Sequence, residues 1–114
     1  MKQIYCDHSA TTPVAPKVMD FMTDIMKNYF GNPSSIHRFG QSAKVVIEKA
    51  RKQSAQALGC TPGNIFFTGG GSESNNTVLK GILTPGDHFI TSSIEHPSIL
   101  IPAKELQESG IEIT

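Results

Sequence analysis

A chain of 114 residues has the length of one small domain, and 38% hydrophobic with 18% charged residues is the composition of a globular protein, not a disordered one. Ten basic and ten acidic side chains cancel, so no net field draws the chain to nucleic acid or to an acidic membrane, and neither is expected as a partner. No apolar run approaches the roughly 18 residues of a membrane span, and no apolar signal segment follows Met1, so the expected location is cytoplasmic. Cys6 and Cys60 lack CxxC spacing and are expected as reduced thiols, with no metal site.

Along residues 14–29, Val18, Phe21, Met22, Ile25, Met26 and Tyr29 recur at helical spacing, with Pro13 and Pro16 at the start. Residues 30–35 (FGNPSS) form a loop by composition. A second helix is predicted over 39–58, with Ala43, Val46, Ile47, Ala50, Ala57 and Leu58 on one side and Gly59 as its stop. Residues 65–68 (IFFT) read as a short buried strand running into Gly69-Gly70-Gly71. Ser72 and Glu73 then cap a third helix reaching about Gly81. After the turn Pro85-Gly86-Asp87 comes a strand over 88–92. A fourth helix opens at Pro97, carries a kink or break at Pro102, and stops at Gly110. Residues 111–114 begin another strand. Strands alternating with helices give an α/β class with a parallel sheet, and the last strand suggests a sheet that continues beyond it.

The strand–glycine turn–helix unit at 67–74 (FTGGGSES) is the sharpest local feature. Glycines let backbone approach a ligand and take torsions that a Cβ forbids, while the free amides and positive end of the following helix suit a phosphate. Ser72 offers a hydroxyl. No GK[ST] follows and GxGxxG is not matched, so this is neither a Walker loop nor a dinucleotide fingerprint. The plainer reading is a tight βα turn whose glycines serve geometry alone, with Glu73 as a capping carboxylate. The second feature, 93–97 (SIEHP), lies past a strand's C-terminal end, the edge where open α/β sheets place ligands. An imidazole at His96 there can stack on a flat ring or exchange protons near neutral pH; the alternative is a histidine at a helix start or on the surface. His8, His37 and His88 are weaker candidates, and the string Asp7-His8-Ser9 is no triad, because triad groups must converge in space.

In their order, four segments resemble the cysteine desulfurases of the class V aminotransferase family: 5–13 (YCDHSATTP), 30–40 (FGNPSSIHRFG), 67–76 (FTGGGSESNN) and 91–97 (TSSIEHP). The resemblance covers essentially the whole chain. It implies a partial pyridoxal-phosphate (PLP) dependent transferase of fold type I: an N-terminal segment plus the first part of the large-domain sheet with flanking helices. On that basis residues 1–114 form an incomplete N-terminal part of the PLP-binding domain. Residues 1–40 would be an arm and helix with substrate-mouth loops, and 41–114 the start of the cofactor-binding sheet. The implied activity removes sulfur from L-cysteine, leaving L-alanine and a persulfide for iron–sulfur cluster or thiolation pathways through an acceptor or scaffold protein. By the same resemblance Gly71 and Ser72 hold the cofactor phosphate, and His96 stacks on its ring and helps move protons. Ala10, Thr11, Thr12 and Asn32 lie near the substrate mouth. Ser72 stands where the family commonly has Thr, and Gly69 where it often has Ser. Cys6 takes a usually apolar place and is expected as a small buried hydrophobe.

The family's Schiff-base lysine follows a histidine, and this chain has no His-Lys pair. The aspartate facing the pyridine nitrogen, and the nucleophilic cysteine, also fall beyond this length. The chain alone is therefore expected to be inactive. Open readings are a truncated desulfurase, half of a split desulfurase completed by a partner chain, or a non-catalytic relic; the resemblance also implies a homodimer, as in its relatives. Rival functions are a selenocysteine lyase or other class V aminotransferase, and a phosphate-binding module that shares only the turn.

Overall fold

The structure, a computed structural model, describes residues 3–114. They fall into two compact units, 1–65 and 66–114.

The first unit holds α1 (Pro16–Asn28) and α2 (Arg38–Leu58), followed by a single 3-10 turn at Pro62–Asn64. Pro16 occupies the first turn of α1, where its missing N–H costs no hydrogen bond. The expected apolar stripe of α1 forms, but none of its residues is buried, and Phe21 and Met26 remain about two-thirds exposed (62% and 66%). In α2 the buried side runs through Ala43, Val46, Ile47, Arg51 and Ala55, whereas Ala50, Ala57 and Leu58 are exposed. Arg51 belongs to this side, its guanidinium donating to the Ile65 carbonyl beyond the helix. Gly59 ends α2 in the left-handed region (φ 68°), and Cys60 N–H closes back on the Ala55 carbonyl at 3.0 Å.

Between α1 and α2 the loop folds on itself. Asn32 Oδ1 accepts from Ser34 N–H at 2.9 Å, Ser35 N–H donates to the Asn32 carbonyl at 3.0 Å, and Gln41 Nε2 donates to the Ser35 carbonyl at 2.9 Å. Gly40 is buried against this turn: a Cβ there would stand 2.5 Å from the Asn32 carbonyl oxygen and 2.6 Å from that of Ser35.

The second unit holds α3 (Gly71–Ile82), β1 (His88–Phe89), α4 (Pro97–Glu108) and β2 (Glu112–Ile113). β1 and β2 pair in parallel, His88 opposite Glu112 and Phe89 opposite Ile113, with α4 as the crossover. α3 and α4 pack on each other and α4 packs on β2, burying Leu79, Pro102, Ala103 and Ile111.

Four expectations are corrected. Residues 65–68 form no strand: Ile65 is extended and buried, but no described strand lies beside it to share a hydrogen-bond ladder. The strand over 88–92 shortens to His88–Phe89, because its only described partner is equally short; Thr91 N–H still reaches the Thr114 carbonyl at 2.8 Å. α4 is one element through Pro102, so the break expected there does not occur; Pro102 lacks one backbone bond and is buried. Cys6, expected inside, is exposed, and Cys60 is half-buried; both are free thiols. Among the described residues no helix is long and apolar enough to cross a membrane, and no cluster of His, Cys, Asp or Glu could hold a metal.

Two predictions follow from this packing. Gly40→Ala forces backbone apart at the Asn32–Ser35 turn and should lower unfolding free energy by about 1–3 kcal/mol, the usual cost of overpacking. An unchanged urea midpoint would contradict it. The Asp87 carboxylate accepts from Thr84 N–H (2.7 Å) and Thr84 Oγ1 (2.9 Å), and these bonds lower its pKa below the ordinary 3.8. A depressed carboxyl stabilises the fold above its unfolded value and loses that contribution as pH falls through the folded one. The stability difference between the native protein and Asp87→Asn should therefore be constant near neutrality and shrink below about pH 4. A difference that stays constant down to the lowest folded pH would contradict the assignment.

Candidate functional site

The chemistry-bearing residues of the second unit gather at the N-terminal ends of α3 and α4. α3 begins at Gly71 after an N-cap, Gly70, in fully extended conformation (φ 165°, ψ 175°). Ser74 N–H makes the first intrahelical bond, to the Gly70 carbonyl at 3.1 Å, so the amides of Gly71, Ser72 and Glu73 precede any intrahelical acceptor. The turn before them is braced by side chains. Glu73 Oε2 accepts from Gly69 N–H at 2.6 Å, reaching back as in a capping box, and the Thr68 and Ser74 hydroxyls lie 2.6 Å apart.

The expectation that these glycines supply special torsions is corrected. None of Gly69, Gly70 and Gly71 has left-handed φ. What Gly70 and Gly71 supply is room: a Cβ on either would meet nothing within 4 Å. A helix start with free amides and open space beside its first two residues is suited to an anion.

α4 begins the same way on the other side. His96 is its N-cap, in extended conformation (φ −63°, ψ 146°), and Nδ1 of its ring accepts from Ser98 N–H at 3.1 Å. Pro97 fills the first helical position, where no N–H is needed. The Ser98 hydroxyl lies 2.8 Å from the same Nδ1, and Asn75 Nδ2, on α3, donates to that hydroxyl at 2.9 Å.

Ser72 and His96 line one hollow of about 280 Å³ with Asn76, Ser98, Pro102 and Glu105. Asn76 is held by a bond from its Nδ2 to the Ser72 carbonyl (2.9 Å), and Glu105 by Lys80 (2.7 Å). The hollow joins an anion-favouring helix end to an imidazole, which is the pairing a phosphorylated aromatic ligand requires. Ser72 and His96 are thus brought to one hollow, and Gly71 precedes Ser72 in the first turn of α3. Ala10, Thr11, Thr12 and Asn32 belong to the other unit: Ala10 and Thr11 close a turn on the Asp7 carbonyl (3.1 and 3.3 Å), Thr11 Oγ1 lies 2.6 Å from Tyr5 Oη, and Asn32 is engaged in its own turn. His88 pairs with Thr114 Oγ1 at 2.9 Å and is structural. Sequence reasoning assigned no role to Asn75 and Ser98. Ser98 carries a signal, standing two residues after a capping histidine, but Asn75 meets it only through the packing of α3 on α4.

Comparison with known proteins gives the same direction. The class-V aminotransferase family matches residues 4–114. The cysteine desulfurase IscS of Dictyoglomus turgidum is 44% identical over 117 residues, covering 99% of this chain and 30% of the relative. A solved NifS-like protein superposes with a TM-score of 0.89 at 35% identity over 99% of this chain and 32% of its own, and SspA in complex with cysteine with 0.87 at 39% over 96% and 33%. The chain thus spans about 30% of the length of the curated relative it matches. With residues 4–114 matched, the chain belongs to the class V aminotransferase family.

Proposed function

We propose that this chain forms the cofactor-phosphate part of a PLP-dependent cysteine desulfurase, the N-terminal part of its large domain. Residues 1–40 would serve as the arm with substrate-mouth loops and 41–114 as the start of the cofactor-binding sheet. The complete enzyme converts L-cysteine to L-alanine, its sulfur passing as a persulfide to an acceptor or scaffold protein for iron–sulfur cluster or thiolation pathways. The observation that supports this is the shared hollow of Ser72 and His96 at two helix starts.

The residues present fit the cofactor. Open space at Gly70 and Gly71 leaves room for a phosphate beside the amides of Gly71 and Ser72, and the Ser72 hydroxyl adds a donor. His96, anchored by its own helix, presents a flat ring to stack and a nitrogen able to exchange a proton. Bound PLP supplies an electron sink for the bonds of the substrate's α-carbon. The substrate-mouth role of Ala10, Thr11, Thr12 and Asn32 is part of the same proposal, as are a cytoplasmic location and a homodimer or complementing chain. Exposed apolar faces such as that of α1, and the two-stranded sheet whose strands are both edges, suit burial by the rest of such an enzyme.

Ser72→Ala should weaken PLP binding, measured by calorimetric titration, by about 1–3 kcal/mol, the cost of losing a hydrogen bond to a charged group. Pyridoxal without phosphate should bind weakly to both forms. Equal PLP affinity in the two forms would remove Ser72 from the site. Mixed with PLP and L-cysteine, the chain alone should release no sulfide above the protein-free control, since it has no His-Lys pair. Sulfide should appear when a polypeptide carrying the lysine and nucleophilic cysteine is added. Release by the isolated chain would overturn this reading of its chemistry.

A further inference from the structure

The contacts around His96 do more than cap a helix. A backbone N–H can only donate, so the Ser98 amide at 3.1 Å requires a lone pair on Nδ1. The neutral ring then carries its proton on Nε2. The Ser98 hydroxyl sits 2.8 Å from that same nitrogen. Asn75 Nδ2 donates into the hydroxyl at 2.9 Å, occupying a lone pair and leaving the hydroxyl hydrogen to turn toward Nδ1. Two donors converge on one ring nitrogen, both from Ser98, and the hydroxyl is itself held by Asn75 of α3, the helix whose Ser72 lines the same hollow.

We propose that Asn75 and Ser98 are positioning residues: they hold the His96 ring in a single flip and in the Nε2–H tautomer, and they tie that ring to the helix that offers the anion site. This deepens the reading of the hollow as a cofactor site and rests on it for its purpose, since a stacked ring must keep one orientation and one spacing from the phosphate grip. The geometry itself stands without any ligand. Asn75 and Ser98 are half-buried, while His96 is exposed, so solvent alone would leave an unrestrained imidazole free to flip. His37 gives an internal contrast. It also caps a helix through Nδ1, accepting from Gly40 N–H at the longer distance of 3.4 Å, and among the described residues no hydroxyl or amide side chain joins that contact.

The test is ring-nitrogen NMR on the full chain with 15N-labelled histidine, without cofactor, at about pH 8, where an ordinary imidazole is neutral. The His96 resonances are assigned by their loss in His96→Gln. The expected spectrum for His96 is the Nε2–H pattern with a sharp, fully acceptor-type Nδ1. Asn75→Ala and Ser98→Ala should shift it toward a mixture of tautomers, with the circular dichroism and the other three histidines unchanged. Ser98→Thr, which keeps the hydroxyl, should restore the native pattern. An Nδ1–H or mixed pattern in the native chain would overturn the proposal, as would a native pattern in both alanine variants. Because no ligand is present, this result is separate from PLP affinity: a native chain that has the expected tautomer and fails to bind PLP would count against the cofactor reading and leave the positioning role standing.

Discussion

The packing of α3 against α4 is the constraint on which the site depends. Each helix start is ordinary taken alone, one led by glycines and one capped by a histidine. Packed together around Leu79, Pro102 and Ala103, they place the uncapped start of α3 and the capping imidazole of α4 on a single hollow. The parallel pair β1–β2 holds α4 as its crossover, and Asn75 and Lys80 bridge from α3 to Ser98 and Glu105. The exposed ion pair adds little stability by itself. The buried apolar contact is what keeps the two ends in register.

From this follows a division of labour that suits a ligand with a charged tail and a flat ring. α3 offers amides and room; α4 offers an imidazole whose ring is restrained at Nδ1. The restraint reaches across from α3, so a shift in the packing of the helices would move both halves of the grip together.

Helices were more legible in the sequence than strands, for a physical reason. The stripe Val18–Tyr29 and the stop at Gly59 carry their own periodicity and capping, and α1 and α2 form within two residues of where these signals put them. A strand is completed by its neighbour. Residues 65–68 have a strand's composition and no ladder, and 88–92 pairs only as far as its short partner allows. Ser72 and His96 share a hollow, but not by the route expected: the strand predicted at 65–68 does not form, and the packing of α3 on α4 brings the two together. Unusual torsions were expected of the glycines, whereas none of Gly69, Gly70 and Gly71 has left-handed φ, and open space lies beside Gly70 and Gly71. Asn75 was illegible, since its partner lies 23 residues away and only tertiary packing joins them.

The central claim is that one ligand touches both helix starts at once. Titrating the full chain with PLP while following the amide resonances of Gly71 and Ser72 and the ring resonances of His96 tests it most directly. The account predicts that all three move together along one binding curve. Movement of the amides with a stationary His96 ring, or two curves with different midpoints, would contradict it.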